Sequence, residues 1–308
     1  MIVYDPDSNW IKDILHFYKS TTLVKLTYRV IYIGLYMATS CYVFLNYFDI
    51  HDAVSPALFT WIGVALSVLL VFRTNTAYDR WWEGRKQWGS LVNHTRHLAL
   101  ILDAKLDKSD TTRRAYLARH ISNYPFALSA YLRGYNPTEK LFGITSEEKK
   151  EFDKHYHIPN FISKKLIESI NGIRKEGLLS DIDELQTNEC LLAFSNITGA
   201  CERIKNTPIP FSYNTYLKVF ILIYTTVLPL AFVNVLGYYT IPLGMFEFFF
   251  LIGVEMMAEE IEDPFEDMSN DLPTLTLSEK IKNDVHEILE VYEYVEAPVK
   301  PKLYSILP

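Results

Sequence analysis

Four carboxylates at helical spacing are the residues best suited to chemistry in this 308-residue chain. Glu255, Glu259, Glu262 and Glu266 recur at i, i+4, i+7 and i+11, on one helix face if the helix lasts to Pro264. Clustered carboxylates suit a hard cation. The same face could serve a membrane-embedded carboxylate metal enzyme, but di-iron sites in helical bundles use Glu-x-x-His pairs, and no histidine follows these acids at that spacing. A solvated acidic helix end is the simpler reading, although Val254, Met256 and Ile261 argue for partial burial against Arg or Lys. His94 and His97 stand one turn apart without an evident third ligand, so packing or exposure is expected. His155 and His157 read as a surface loop. Cys41, Cys190 and Cys201 form no metal spacing and read as buried, reduced thiols.

A second pattern carries no polar atom. Val64, Val68 and Phe72 recur every four residues and draw one apolar line down a helix face that passes near Trp61 and Thr76. On a membrane helix such a line faces lipid, packs on protein, or lines a pore.

The elements that must position these residues follow from where charge is missing. Composition is 49% apolar and 14% aromatic, and the mean hydropathy is only +0.03 because the apolar content is unevenly spread. Residues 30 to 48 and 53 to 72 are uncharged, and 219 to 254 carry Glu247 alone. The first two each suffice for one membrane helix of about 20 residues and the third for a pair. With Gly237, Pro242 and Gly244 as the turn, four spans result. The first residues, MIVYDPDSNW, are acidic and polar, unlike a signal peptide, so the first span is expected to direct insertion.

Lys25 and Arg29 precede the first span. Arg73, Arg80, Arg85 and Lys86 follow the second, and Arg203, Lys205 and Lys218 precede the third. The connections at 49 to 52 and 237 to 243 have no Lys or Arg, which puts both termini and the middle of the chain in the cytoplasm. A formal net charge of −7, with no basic stripe, argues against a nucleic-acid partner.

Taken in order, residues 8 to 27 predict an amphipathic helix with Trp10, Ile11, Ile14, Leu15 and Phe17 on one stripe, lying on the membrane or on the cytosolic domain. A first span at about 29 to 48 leads through a short loop with His51 to the second, whose helix runs on past Arg73 to about His97. A helix from Thr111 to Arg133 should kink or break at Pro125. Thr145 with Glu148, and Ser180 with Asp183, are helix starts. Pro208 and Pro210 must stop the helix that ends near Lys205. A last helix is expected from Ser278 to about Tyr294. The expected organisation is an N-terminal cytosolic helix (1–28), spans 1 and 2 with a cytosolic extension (29–97), a helical cytosolic domain (98–212), spans 3 and 4 (213–258), and an acidic segment with a C-terminal helix and tail (259–308). The expected class is an all-α membrane protein.

Three motifs, in order and covering nearly the whole chain, resemble the bestrophin family in its prokaryotic branch. They are R-T-N-T-A-Y-D-R-W-W-E-G-R-K-Q-W-G (73–89), I-P-F-S-Y (209–213), and E-I-E-D-P-F with N-D-L-P (260–273). The resemblance implies a homopentamer in the cell (inner) membrane, with four spans per subunit and one ion pore on the five-fold axis. It also implies a hydrophobic neck at Val64, Val68 and Phe72 and a cytosolic aperture at Ile209. A ring of apolar side chains can gate by dewetting. Arg73, Arg80, Trp81 and Trp82 are expected to anchor the same helix in the cytosolic domain. Animal members build a calcium clasp just after the P-F pair; here Met268 and Ser269 stand where acids are expected, leaving Glu262, Asp267 and Asp271 as weak metal candidates. No cofactor is implied.

The leading function is therefore passage of small monovalent ions. Valine at two neck positions offers no ring edge to an anion, so sodium is slightly favoured over the chloride alternative. Reading the chain as a membrane metal enzyme or as a scaffold remains open.

Overall fold

The computed structural model describes residues 1–3, 10–48, 55–292 and 302–307 of the chain. The loop with His51, the Trp10 side chain, and residues 8 and 9 lie outside the described parts, while the last helix, expected to reach about Tyr294, already ends at Ile288, with Glu290 at φ +57° just beyond it. Ten α-helices are present among the described residues: α1 (Trp10–Leu15), α2 (Thr21–Tyr47), α3 (Pro56–Lys105), α4 (Thr111–Leu132), α5 (Ser146–Phe152), α6 (Ile158–Lys175), α7 (Asp181–Asn206), α8 (Phe211–Leu236), α9 (Thr240–Glu262) and α10 (Thr274–Ile288). One antiparallel bridge joins Ile2 to Ile306.

Two apolar cores organise them. Leu26 and Met37 of α2, Phe59, Leu66 and Leu70 of α3, Leu217 and Leu228 of α8, and Leu251 and Met256 of α9 form one. Trp88, Leu91, Leu98 and Leu102 of α3 join α4, α6, α7 and α10 in the other. Helix α3 supplies both. Its 50 residues extend about 75 Å, against a hydrocarbon core of roughly 30 Å. Three helical stretches are long and apolar enough to cross a membrane: α2, the first part of α3, and the α8–α9 stretch. The last is folded back on itself by a 3₁₀ turn (Gly237–Tyr239). Gly237 takes φ +53° there, a conformation that favours glycine. Pro242 and Gly244, expected in that turn, instead lie in the first turns of α9.

Local signals explain most boundaries. Pro56 occupies the first turn of α3, where its missing N–H costs nothing. Both expected capping boxes form: Thr145 with Glu148 opens α5, and Ser180 with Asp183 opens α7. Three expectations are corrected. The N-terminal helix is not continuous to residue 27, because Ser20 caps α2, accepting from Leu23 N–H at 3.4 Å, and Phe17–Lys19 tighten into a 3₁₀ turn before it. Pro125 does not break α4, since residues 120 to 130 are all buried and packing on every side holds the helix. Helix α10 begins at Thr274, not Ser278; the Ser278 hydroxyl donates back to the Thr274 carbonyl at 2.8 Å, a mid-helix pattern rather than a cap.

Candidate functional site

Along α3 the two faces differ sharply. Leu66 and Leu70 are 0% and 2% exposed, packed on α8 and α9, while Val64, Val68 and Phe72 on the other face are 52%, 50% and 62% exposed. The apolar line continues downward into exposed Thr76 and Asp79. Beside it a groove of about 610 Å³ is lined by Val64, Val68, Tyr224, Phe246, Glu247 and Phe250 among others. Glu247, the one charge in the α8–α9 apolar run, accepts a hydrogen bond from the Tyr224 hydroxyl at 2.7 Å. Phe59 stacks on the Tyr224 ring, with centroids 4.0 Å apart. Gly63, next to Val64, makes room for that hydroxyl: a Cβ there would lie 2.4 Å from it.

Immediately below Phe72 the apolar line gives way to a buried polar node. Arg73 is fully buried, and its Nη2 donates to Glu262 Oε2 at 2.7 Å. Glu262 Oε1 accepts the Ile209 N–H at 2.7 Å, and Asn214 Nδ2 reaches Oε2 at 3.5 Å. Two turns further along α3, the Arg80 guanidinium donates to three carbonyls: Glu262 at 2.9 Å, Thr207 at 2.6 Å and Ile204 at 2.5 Å. These last two cover the end of α7, whose final carbonyls have no helical partner. Five elements thus converge here: α3, the end of α7, the 207–210 turn, the start of α8, and the end of α9.

Of the sequence-predicted anchors, Arg73 and Arg80 sit in this node. Trp81 packs against the core shared by α3, α4, α6, α7 and α10, and its indole N–H donates to the Asn270 carbonyl at 3.1 Å. Trp82 differs: it is 47% exposed, and its ring lies nearly parallel to that of Tyr78. Ile209 also differs from the neck residues. It is only 9% exposed, since its N–H is drawn inward to Glu262, whereas Phe211 two residues on is 81% exposed. The side chain that projects from this turn is Phe211.

The acidic face is paired with bases. Glu255 is fully buried, 3.8 Å from Lys218, which also binds Glu259 at 2.6 Å. Lys205 meets Asp263 at 2.5 Å and Glu266 at 3.6 Å. The weak metal candidates do not converge. Glu262 is held by Arg73, Asp267 pairs with Arg133 at 2.8 Å, and Asp271 Oδ2 accepts the Met268 N–H at 2.6 Å. Among the described residues no three His, Cys, Asp or Glu side chains are placed to hold a metal ion. Asp271 is 1% exposed and its Oδ1 makes no hydrogen bond to the described residues. Burial raises its pKa to about 7, with the carboxylates of Glu266, Glu260 and Asp263 adding to the effect.

His94 and His97 remain on the surface side of α3, half-buried and exposed respectively. His157 is more than a loop residue. Its Nδ1 caps α6, accepting from Asn160 N–H at 3.1 Å, and its Nε2 lies 3.0 Å from Glu202. Sequence reasoning missed two further relationships, the double role of Glu262 and the Gly63–Tyr224–Glu247 contact. The available signals were a lone charge in an apolar run and a lone glycine among large apolar residues.

These features define an all-helical membrane protein in which one long helix joins an apolar bundle to a second helical body. The chain belongs to the bestrophin family: the model for the bacterial/fungal bestrophin protein matches residues 1–287. It is 29% identical over 300 residues to a voltage-dependent anion channel-forming protein of Escherichia coli K12, covering 97% of each chain. A protein of the same description from Ralstonia nicotianae is 28% identical, covering 94% of each. The crystal structure of a bacterial bestrophin homolog from Klebsiella pneumoniae superimposes with a TM-score of 0.81 at 26% identity, over 86% of this chain and 98% of that one.

Proposed function

We propose that this chain is one subunit of a homopentameric channel in the cell membrane that passes small monovalent ions, with Val64, Val68 and Phe72 of five copies forming a hydrophobic neck. The observation that carries this reading is the uncovered line on α3. Three apolar side chains, each at least half exposed, stand on a helix whose other face is fully packed. Rings of apolar side chains bar ions by dewetting and open with small helix shifts. The spans run four to a subunit, α2, the first part of α3, α8 and α9. Both termini and the body built on α4, α6, α7 and α10 face the cytoplasm, in line with the lysines and arginines that flank the span ends.

The second narrowing falls to the turn at 207–211 as a whole, with Ile209 as its buried anchor and Phe211 as its projecting side chain. The permeant ion is an anion such as chloride. Relatives similar to this chain over nearly its full length carry the description voltage-dependent anion channel-forming, and this replaces the slight preference for sodium, which rested on what valine lacks rather than on any group that attracts a cation. Asp79, exposed two turns below Phe72 on the same face, is the observation that favours a cation. Reversal potentials of the purified protein in a planar bilayer across a sodium chloride gradient decide between them. A shift toward the chloride equilibrium potential is expected, a shift toward that of sodium overturns the anion reading, and absence of flux overturns the channel. A membrane metal enzyme has little left to support it, because the carboxylates it would need are engaged by Arg73, Lys205 and Lys218.

A further inference from the structure

The polar face of α1 is fixed by the chain's other end. Asp13 Oδ1 accepts a hydrogen bond from the Tyr304 hydroxyl at 2.8 Å, and the His16 imidazole stacks on the Tyr304 ring with centroids 3.9 Å apart and planes 2° from parallel. The segment that carries Tyr304 is in turn held by the first residues. The Met1 ammonium donates to the Leu307 carbonyl at 2.7 Å, Val3 N–H to Ser305 at 3.0 Å, and Tyr304 N–H to Val3 at 2.6 Å. This clasp sets the rotation of α1. At about 100° per residue, Ile11, Ile14 and Leu15 fall on the side opposite Asp13 and His16. They are 51%, 54% and 66% exposed, and Phe17 and Tyr18 in the following 3₁₀ turn are 46% and 57% exposed.

We propose that this face, Ile11 to Tyr18, inserts into the headgroup and upper acyl layer of the leaflet that α2 enters, with Lys12 and Lys19 holding anionic headgroups. Continuity argues for lipid as the occupant. Ser20 caps α2 directly after the 3₁₀ turn, so the segment leads without a linker into a helix whose Tyr28, Ile31, Tyr32 and Leu35 are 62%, 51%, 72% and 63% exposed. Charge complementarity points the same way. Lys12 and Lys19 are exposed, while the acid of α1, Asp13, is turned to Tyr304; Lys25 and Arg29 of α2 instead line a groove with Glu259, Glu260 and Asp263. Aliphatic and aromatic residues on one face with lysines at its flank are the composition of interfacial helices.

The test needs no current measurement, so it stands apart from the channel reading. Cys41, Cys190 and Cys201 are buried, which allows one introduced cysteine to be labelled alone. Ile14→Cys in the full chain is labelled with a polarity-sensitive fluorophore in nanodiscs of phosphatidylglycerol and phosphatidylcholine. Quenching by a nitroxide on a shallow acyl carbon is expected, with little quenching by iodide in solution. Lys12→Gln with Lys19→Gln in the same background should raise iodide quenching severalfold in these discs and leave it unchanged in pure phosphatidylcholine. Quenching of the Ile14→Cys label by iodide alone places the face in water, and protection from both quenchers means that a second protein surface covers it. Either result overturns the proposal.

Discussion

Arg73 and Glu262 meet at 2.7 Å in the interior of the chain although 189 residues separate them in sequence. The other oxygen of the same carboxylate holds Ile209 N–H. One acid therefore ties the helix that bears the proposed neck to the turn proposed as the cytosolic narrowing.

Removing one partner of a buried ion pair leaves an uncompensated charge, at a cost of about 3–5 kcal/mol. Glu262→Ala should lose stability on that order, read as a lowered midpoint of thermal denaturation of the detergent-solubilised protein. Glu262→Gln should cost less, because its amide oxygen still accepts the Ile209 N–H. Wild-type melting of Glu262→Ala would show that the node is not structural.

The neck residues are expected to behave in the opposite way. Val64, Val68 and Phe72 make few contacts within one chain, so replacing all three by alanine should leave the fold and the melting midpoint nearly unchanged. Single-channel recordings should instead show larger or less gated currents. Unaltered permeability in the triple variant would favour the scaffold reading.

Gly63 is a packing prediction beside that neck. With a Cβ placed 2.4 Å from the Tyr224 hydroxyl, Gly63→Ala must displace the ring or the helix, an overpacking cost of about 1–3 kcal/mol. Tyr224→Phe in the same chain removes the clashing atom and should recover part of the loss, but not all, because Glu247 then lacks its donor. Equal melting midpoints for Gly63→Ala and wild type would contradict the contact.

How much of this was legible in sequence depended on distance along the chain. The uncharged run ahead of Arg73 and the charges after it announced a helix shared by two environments, and α3 is that helix. Thr145 with Glu148 and Ser180 with Asp183 are local pairs, and both formed as read. Ser20 was missed because the apolar periodicity runs straight through it, so nothing local marks it as the stronger signal. The partners of Glu262 and Gly63 lie far away in the chain, and no spacing rule reports a contact that only the tertiary packing creates. The inward turn of Ile209 was hidden for the same reason, since its cause is an acid 53 residues later.

Asp271 gives a pH dependence whose sign is fixed. Its folded pKa, about 7, lies above the usual carboxylate value near 3.9, so the folded state holds this proton more tightly than the unfolded chain does. The stabilising contribution is complete below about pH 4 and is lost as pH rises to about 7. Asp271→Asn should therefore raise stability at pH 8 by roughly 2 kcal/mol, less than the full conversion of the shift because neighbouring acids titrate with it. At pH 4 it should change little. Denaturation midpoints of both proteins at pH 4, 6 and 8 test this.

The length of α3 on either side of Arg73 sets a gearing. If the helix tilts as a rod about that buried pair, Val64 lies about 13 Å above the pivot and Lys105 about 48 Å below it. A tilt of about 3° would then carry the Lys105 end through roughly 2.5 Å and Val64 through only about 0.7 Å. Under such a tilt the helix would act as a reducing lever, so that coarse displacements of the body built on α4, α6, α7 and α10 would reach the proposed neck at Val64 as sub-ångström adjustments.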